Sequence, residues 1–159
     1  MIEEDYVSLE TAKLLKEKGF NEPCKLFYDK YHGYIPIFVV DSELNKYGNN
    51  GLVRNDQIDI SAFICSAPSL YIAMKWLREV HNLCIEPYRT ACGYLYTISN
   101  VPFGSTKYDN SQEYNGDDEN SGQWSTWELA CEDAIQYCLK NLIQYDKRRS
   151  NKDSKIVLS

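Results

Sequence analysis

With 159 residues, 43% hydrophobic and 25% charged side chains, the chain is long enough to bury a core as one domain, and its composition excludes wholesale disorder. A formal charge of −6 disfavours broad nucleic-acid binding, which needs a surplus of Lys and Arg on at least one face. No apolar run exceeds a few residues, IFVV at 37–40 among the longest, far too short to cross a bilayer, so no membrane contact is expected.

The chain opens with Glu3, Glu4 and Asp5, without the basic and apolar regions of a secretory signal. A cytoplasmic location is therefore expected. There the six cysteines, Cys24, Cys65, Cys84, Cys92, Cys131 and Cys138, are read as reduced thiols rather than three disulfides. The first helix starts after Ser8 as N-cap, with Leu9, Ala12 and Leu15 on its apolar face. Gly19 can take the left-handed position that ends it, and Phe20 the hydrophobic contact that follows.

Residues 24–29 and 33–41 read as strands of a hairpin joined by Lys30-Tyr31-His32. Pro36 cannot donate to a ladder, which puts the second strand at an edge or gives it a bulge. Residues 41–56 form a turn-rich connection, and the apolar stretch 58–65 has no decisive period.

Residues 68–82 carry the strongest pattern. Lys75, Arg78, Glu79 and Asn82 fall in one stripe while apolar residues fill the remaining circumference, predicting a helix buried on most sides with Pro68 in its first turn. A second hairpin follows, residues 83–88 with 92–101. Residues 104–123 set one lysine, Lys107, against Asp109, Glu113, Asp117, Asp118 and Glu119, a charge of −4, and read as a flexible acidic loop. Ser125 and Glu128 form a capping box, opening a helix whose buried face is Trp127, Ala130, Cys131, Ala134, Ile135, Cys138 and Leu142, with Glu128, Glu132, Gln136 and Lys140 toward solvent. From residue 146 on, Lys147, Arg148, Arg149, Lys152 and Lys155 against Asp146 and Asp153 leave +3, a basic frayed tail.

The expected fold is α+β: an antiparallel sheet of about four strands with about three helices on it, one domain over residues 1–145. Leu14–Glu17 echoes Trp76–Glu79 and Gly33–Ile35 echoes Gly93–Leu95, suggesting an α-β-β pseudo-repeat followed by a C-terminal helix.

The segments VSLETAKLLKEKGFNEPC, AMKWLREVHNLCI and WELACEDAIQYCLKNLI resemble a family of small proteins encoded by phages, prophages and mobile elements of gut anaerobic bacteria. The resemblance spans most of the chain outside 42–60 and 104–123. It implies a small intracellular protein of mobile-element origin and brings no established activity or catalytic residue with it.

The residues themselves offer few sites for chemistry. His81, Cys84 and Cys92 could furnish three zinc ligands, with Cys65, Cys131 or Cys138 as a fourth, but cysteine on an apolar helix face more often serves as a small hydrophobe. A thiol nucleophile would need Cys24 with His32, or Cys84 or Cys92 with either histidine, and none of the flanking patterns of cysteine enzymes occurs. His81 closes a helix, where its cationic form suits the dipole. Asp117-Asp118-Glu119 lacks the ligand spacing of a calcium loop. The order helix, two strands, helix resembles a double-stranded-RNA-binding domain if a third strand lies near 122–124, although Glu128, Glu132 and Asp133 then stand where phosphate would bind. No catalytic, cofactor or metal residue is assigned, and no cofactor is expected. The sequence thus favours a non-enzymatic protein-interaction module that uses tyrosine-bearing surface to bind a protein partner or itself. A small cysteine- or metal-dependent enzyme and a weak nucleic-acid-binding domain are its competitors.

Overall fold

In the computed structural model, residues 1–46, 49–56, 61–113 and 123–143 are described. The fold is α+β, with three helices and two three-stranded antiparallel sheets among these residues. Helix α1 spans Leu9–Glu17; Ser8 caps it by accepting from Thr11 N. Its C-terminal end closes as the sequence predicts. Gly19 adopts φ +92°, its N–H donates to Lys16 O at 3.1 Å and that of Phe20 to Leu15 O at 2.9 Å, which satisfies the last carbonyls and buries Phe20.

Strands β1 (Leu26–Asp29) and β2 (Ile37–Phe38) form the first hairpin, and β3 (Phe63–Ser66) pairs on the other side of β1. The order is β2-β1-β3, so the strand after Pro36 does lie at an edge. It is much shorter than residues 33–41, because the chain turns into a 3-10 helix at Val39–Asp41. All four β1 residues are buried, since both faces of this sheet are covered. Leu26, Tyr28 and Cys65 join the main core, whereas Phe27, Val39, Leu44, Val53 and Phe63 form a second cluster under the turn-rich segment. Ile58 and Ile60 lie outside the described residues.

Helix α2 covers Leu70–His81. It begins two residues beyond Pro68, because Ser69 supplies the cap by accepting from Ile72 N at 3.3 Å and Pro68 O instead accepts from Val7 N. The expectation of burial on most sides is also corrected. Tyr71, Ile72 and Val80 are exposed beside the charged stripe, while Leu70, Ala73, Met74, Trp76 and Leu77 face inward. Asn82, at φ 56°, ends the helix in the left-handed conformation that asparagine tolerates.

The second sheet runs β4 (Leu83–Thr90), β5 (Gly93–Asn100), β6 (Thr106–Asp109), in that order. Strand β6 overturns the flexible-loop reading of 104–123 for its first half, and Asn110–Glu113 continues it as a 3-10 turn. The segment is anchored by Tyr108, whose ring stacks on Tyr137 at 3.7 Å between centroids, and by buried Asn110, whose Oδ1 accepts from Tyr96 N at 2.8 Å. Residues 114–122 of the expected loop and the basic tail 146–159 lie outside the described residues. Trp124 pairs with Tyr94 further along β5.

Helix α3 (Trp127–Tyr137) is capped by Thr126, which accepts from Leu129 N at 3.1 Å, one residue after the expected Ser125. That shift exposes Trp127 and leaves Ala130, Cys131, Ala134 and Ile135 buried. A π turn, Cys138–Leu142, ends it with Ile143 N donating to Cys138 O. Helix α1 packs on β3, α2 on β4, and α3 on β4 and β5 while touching both other helices. One continuous core therefore joins all three helices to both sheets. Each half holds a helix, a hairpin and a third strand, as the α-β-β echo suggests, but the third strand joins the first hairpin strand in one half and the second in the other.

Candidate functional site

A group of exposed apolar side chains is built on the turn that joins β1 to β2. Asp29 ends β1 with its carboxylate turned onto the loop, where Oδ1 accepts from Tyr31 N at 3.0 Å and His32 N at 2.9 Å, and Oδ2 lies 2.9 Å from His32 Nδ1. Burial raises the Asp29 carboxyl, and the hydrogen bonds from His32 and Tyr31 outweigh it, so that the group ends below its ordinary value. The carboxylate thus stays charged and holds the loop. Ile35 N donates to His32 O at 3.2 Å and Gly33 sits at φ +61°, a backbone state that glycine takes without strain.

On this frame Tyr34 is 85% exposed, Tyr31 79% and Ile35 70%, while Phe38 on β2 and Val40 in the 3-10 turn beyond it are also exposed. Asp29, Lys30 and His32 are the charged or titratable residues of the turn. Ile37 and Val39 turn inward to the second cluster, while Phe38 on β2 and Val40 in the 3-10 turn after it remain exposed. The sequence places Tyr31 in a turn but Tyr34 and Ile35 in a strand, and nothing in its pattern sets these tyrosines apart from the others.

A second exposed apolar surface follows α2. Two open clefts of about 270 and 360 Å³ share Pro23 and Ile72; the first also reaches Tyr6 and Leu52, the second Trp76 and Val80. Lys75 and Glu79 pair across its rim at 3.6 Å. A third cleft, of about 330 Å³, lies between His81, Asn100, Lys107 and Asn141.

The candidates for chemistry do not converge. Cys84 lies near the start of β4 and Cys92 in the turn beyond its other end, about 20 Å or more away at roughly 3.4 Å per residue, so His81, Cys84 and Cys92 form no ligand set. Cys24, Cys65, Cys131 and Cys138 are buried. Burial pushes the first two thiols up to about 11 and the last two to about 12, opposite to what a nucleophile requires. Cys24 pairs by backbone with Val53 before β1 begins, whereas His32 lies beyond its far end. His81 packs edge-on against Trp76, ring centroids 4.6 Å apart, and burial lowers its pKa. That opposes the cationic form expected at the helix end. Among the described residues no three His, Cys, Asp or Glu side chains are grouped as metal ligands; Asp117, Asp118 and Glu119 lie outside them.

The carboxylates of α3 are turned to structural use. Glu132 Oε1 accepts from Ser8 N at 2.9 Å, from Ser8 Oγ at 2.5 Å and from Thr11 Oγ1 at 2.5 Å, and Gln136 Nε2 donates to the same Thr11 hydroxyl. Of the row expected to face solvent, Glu132 and Gln136 thus form the seam with α1, while Glu128 and Lys140 are exposed as expected. Asp133 Oδ2 accepts from Tyr96 OH at 2.7 Å.

The order α2-β4-β5-β6-α3 supplies the third strand that a double-stranded-RNA-binding arrangement calls for, at 106–109 rather than 122–124. The first turn of α3 nevertheless presents Trp127, Glu128 and Leu129 to solvent and no cation. No helix among the described residues is long and apolar enough to cross a membrane. Comparison with protein-family models, curated proteins and solved structures finds no match to this chain.

Proposed function

We propose that the chain is a non-enzymatic protein-interaction module of phage or mobile-element type, acting inside the cell, which binds protein through the face of the β1–β2 hairpin. The observation that carries this reading is the set Tyr31, Tyr34 and Ile35, large apolar side chains held in water on a turn whose geometry Asp29 fixes. Leaving such a face uncovered forgoes the ~25 cal/mol per Å² that burial contributes, and contiguous patches of this kind mark contact surfaces. Tyrosines suit the role because they bring a large rigid ring at little cost in side-chain entropy and a hydroxyl that tolerates both water and a partner. The mobile-element origin is supported by the resemblance of the three helical segments, and it names no partner.

Photo-crosslinking tests the reading. A benzoylphenylalanine placed at Tyr34 and activated in the host cell is expected to capture protein in a defined adduct. The same group at Lys13, exposed on α1, is expected to give none. Absence of an adduct at position 34, or equal adducts at both positions, would overturn the assignment.

A further inference from the structure

We propose that the apolar cleft along α2 is the docking site of this chain's own basic tail, with Ile156, Val157 and Leu158 seated on Ile72, Trp76 and Val80 and a tail lysine facing Glu22. This surface is separate from the hairpin turn, and the proposal does not rest on the reading given to that turn. The site is the second cleft beside α2, of about 360 Å³. Ile72, Trp76 and Val80 recur every four residues and so line one stripe of the helix, with Pro23 completing the apolar wall. Branched aliphatic side chains are what such a wall accepts.

Position is the first argument. The last described residue, Ile143, lies in the cleft it shares with His81, the final residue of α2. Val80, one residue before His81, lines the apolar cleft. The tail therefore departs from the end of α2 at which that cleft opens. Ile156 comes thirteen residues after Ile143, a reach of up to about 40 Å at roughly 3.3 Å per residue. The stripe from Val80 back to Ile72 is only about 12 Å long at 1.5 Å per residue. The tail can turn back and lie along it with chain to spare, and a tethered segment meets its site at an effective concentration in the millimolar range, so a weak contact suffices.

Charge is the second argument. Residues 1–145 carry −9 and residues 146–159 carry +3, so the tail is drawn to the body of its own chain. Within the cleft two carboxylates, Glu22 and Glu79, stand with one cation, Lys75, which pairs with Glu79 at 3.6 Å. Among the described residues no cation pairs with Glu22. Lys152 and Lys155 precede the aliphatic triplet directly, and a basic segment ending in aliphatic side chains complements an apolar cleft with a carboxylate left over at its rim.

NMR of the full chain, read at backbone amides and the Trp76 indole, tests the assignment. Ile156→Ser combined with Leu158→Ser leaves every described core contact in place, and is expected to move the signals of Ile72, Lys75, Trp76 and Val80 but not those of Tyr34 or Lys107. Raising sodium chloride should move the same signals in the same direction, because it screens the tail from the cleft. In a Glu22→Lys chain the tail is already displaced, and the two serines should move these signals little further. Signals along α2 that stay in place, or movement centred on residues 31–40 or on the third cleft, overturns the assignment. Movement along α2 that disappears on dilution also overturns it, and gives the cleft to the tail of another copy. None of these outcomes alters the position-34 adduct, so the two readings fail separately.

Discussion

Glu132 is the residue whose role departs furthest from its position in the helical pattern. Its carboxylate gathers the backbone N–H of Ser8 and the hydroxyls of Ser8 and Thr11, placing a negative charge at the N-terminus of α1, where it favours the helix dipole. Glu132→Ala is expected to lower stability by about 2 to 4 kcal/mol in urea unfolding, because it removes charge-assisted bonds and leaves buried Thr11 short of a partner. Glu132→Gln should retain part of this, since its amide oxygen still accepts. The thiols give a prediction about pH. Cys24 and Cys65, raised to about 11, and Cys131 and Cys138, raised to about 12, each start from an ordinary value of 9. Between those limits the folded chain keeps protons that the unfolded chain has released, so stability is full below pH 9 and falls as pH rises toward 11 and 12. Denaturant midpoints measured on either side of pH 9 should fall in the alkaline range, and native protein should label slowly with a thiol reagent except at exposed Cys92.

At the scale of elements, local chemistry was legible where side chain and backbone act within one turn. Ser8, Gly19 and Phe20 mark both ends of α1 in the sequence and act there as read. Gly19→Ala is expected to cost about 1 kcal/mol, since φ +92° strains any residue with a Cβ even though no atom lies in its way. Strand β6 was not legible. Its Lys107 and Asp109 read as part of an acidic run, and only tertiary contact makes a strand of it: β5 supplies the ladder and Tyr137 the stacking partner for Tyr108. Tyr108→Ala is accordingly expected to destabilise the fold by about 2 to 3 kcal/mol, and a double-mutant cycle with Tyr137→Ala to show about 1 kcal/mol of coupling. Simple additivity would show that the rings are stacked without consequence.

At the scale of the molecule, the α+β class and the helix–hairpin order follow from periodicity and turn residues, whereas the division of strands between two sheets does not. Phe63–Ser66 is apolar at every other position and beyond, a pattern shared by buried strands and buried helices. Only its pairing with β1 settles the matter. The contact face was legible in kind, as an excess of tyrosine, but not in place. Tyr28, Tyr31, Tyr34 and Tyr71 look equivalent in the sequence, and packing alone separates the buried Tyr28, whose hydroxyl donates to Val7 O at 2.6 Å, from the exposed remainder. Exposed apolar area also lies along α2 and its clefts, and there the Lys75–Glu79 pair lines the second cleft.

These two surfaces can be told apart directly by photo-crosslinking from each in turn in the host cell. The contact-surface reading predicts a defined protein adduct from a benzoylphenylalanine at Tyr34 and none from one at Tyr71, both exposed. An adduct from position 71 alone, or none from either, would contradict the account.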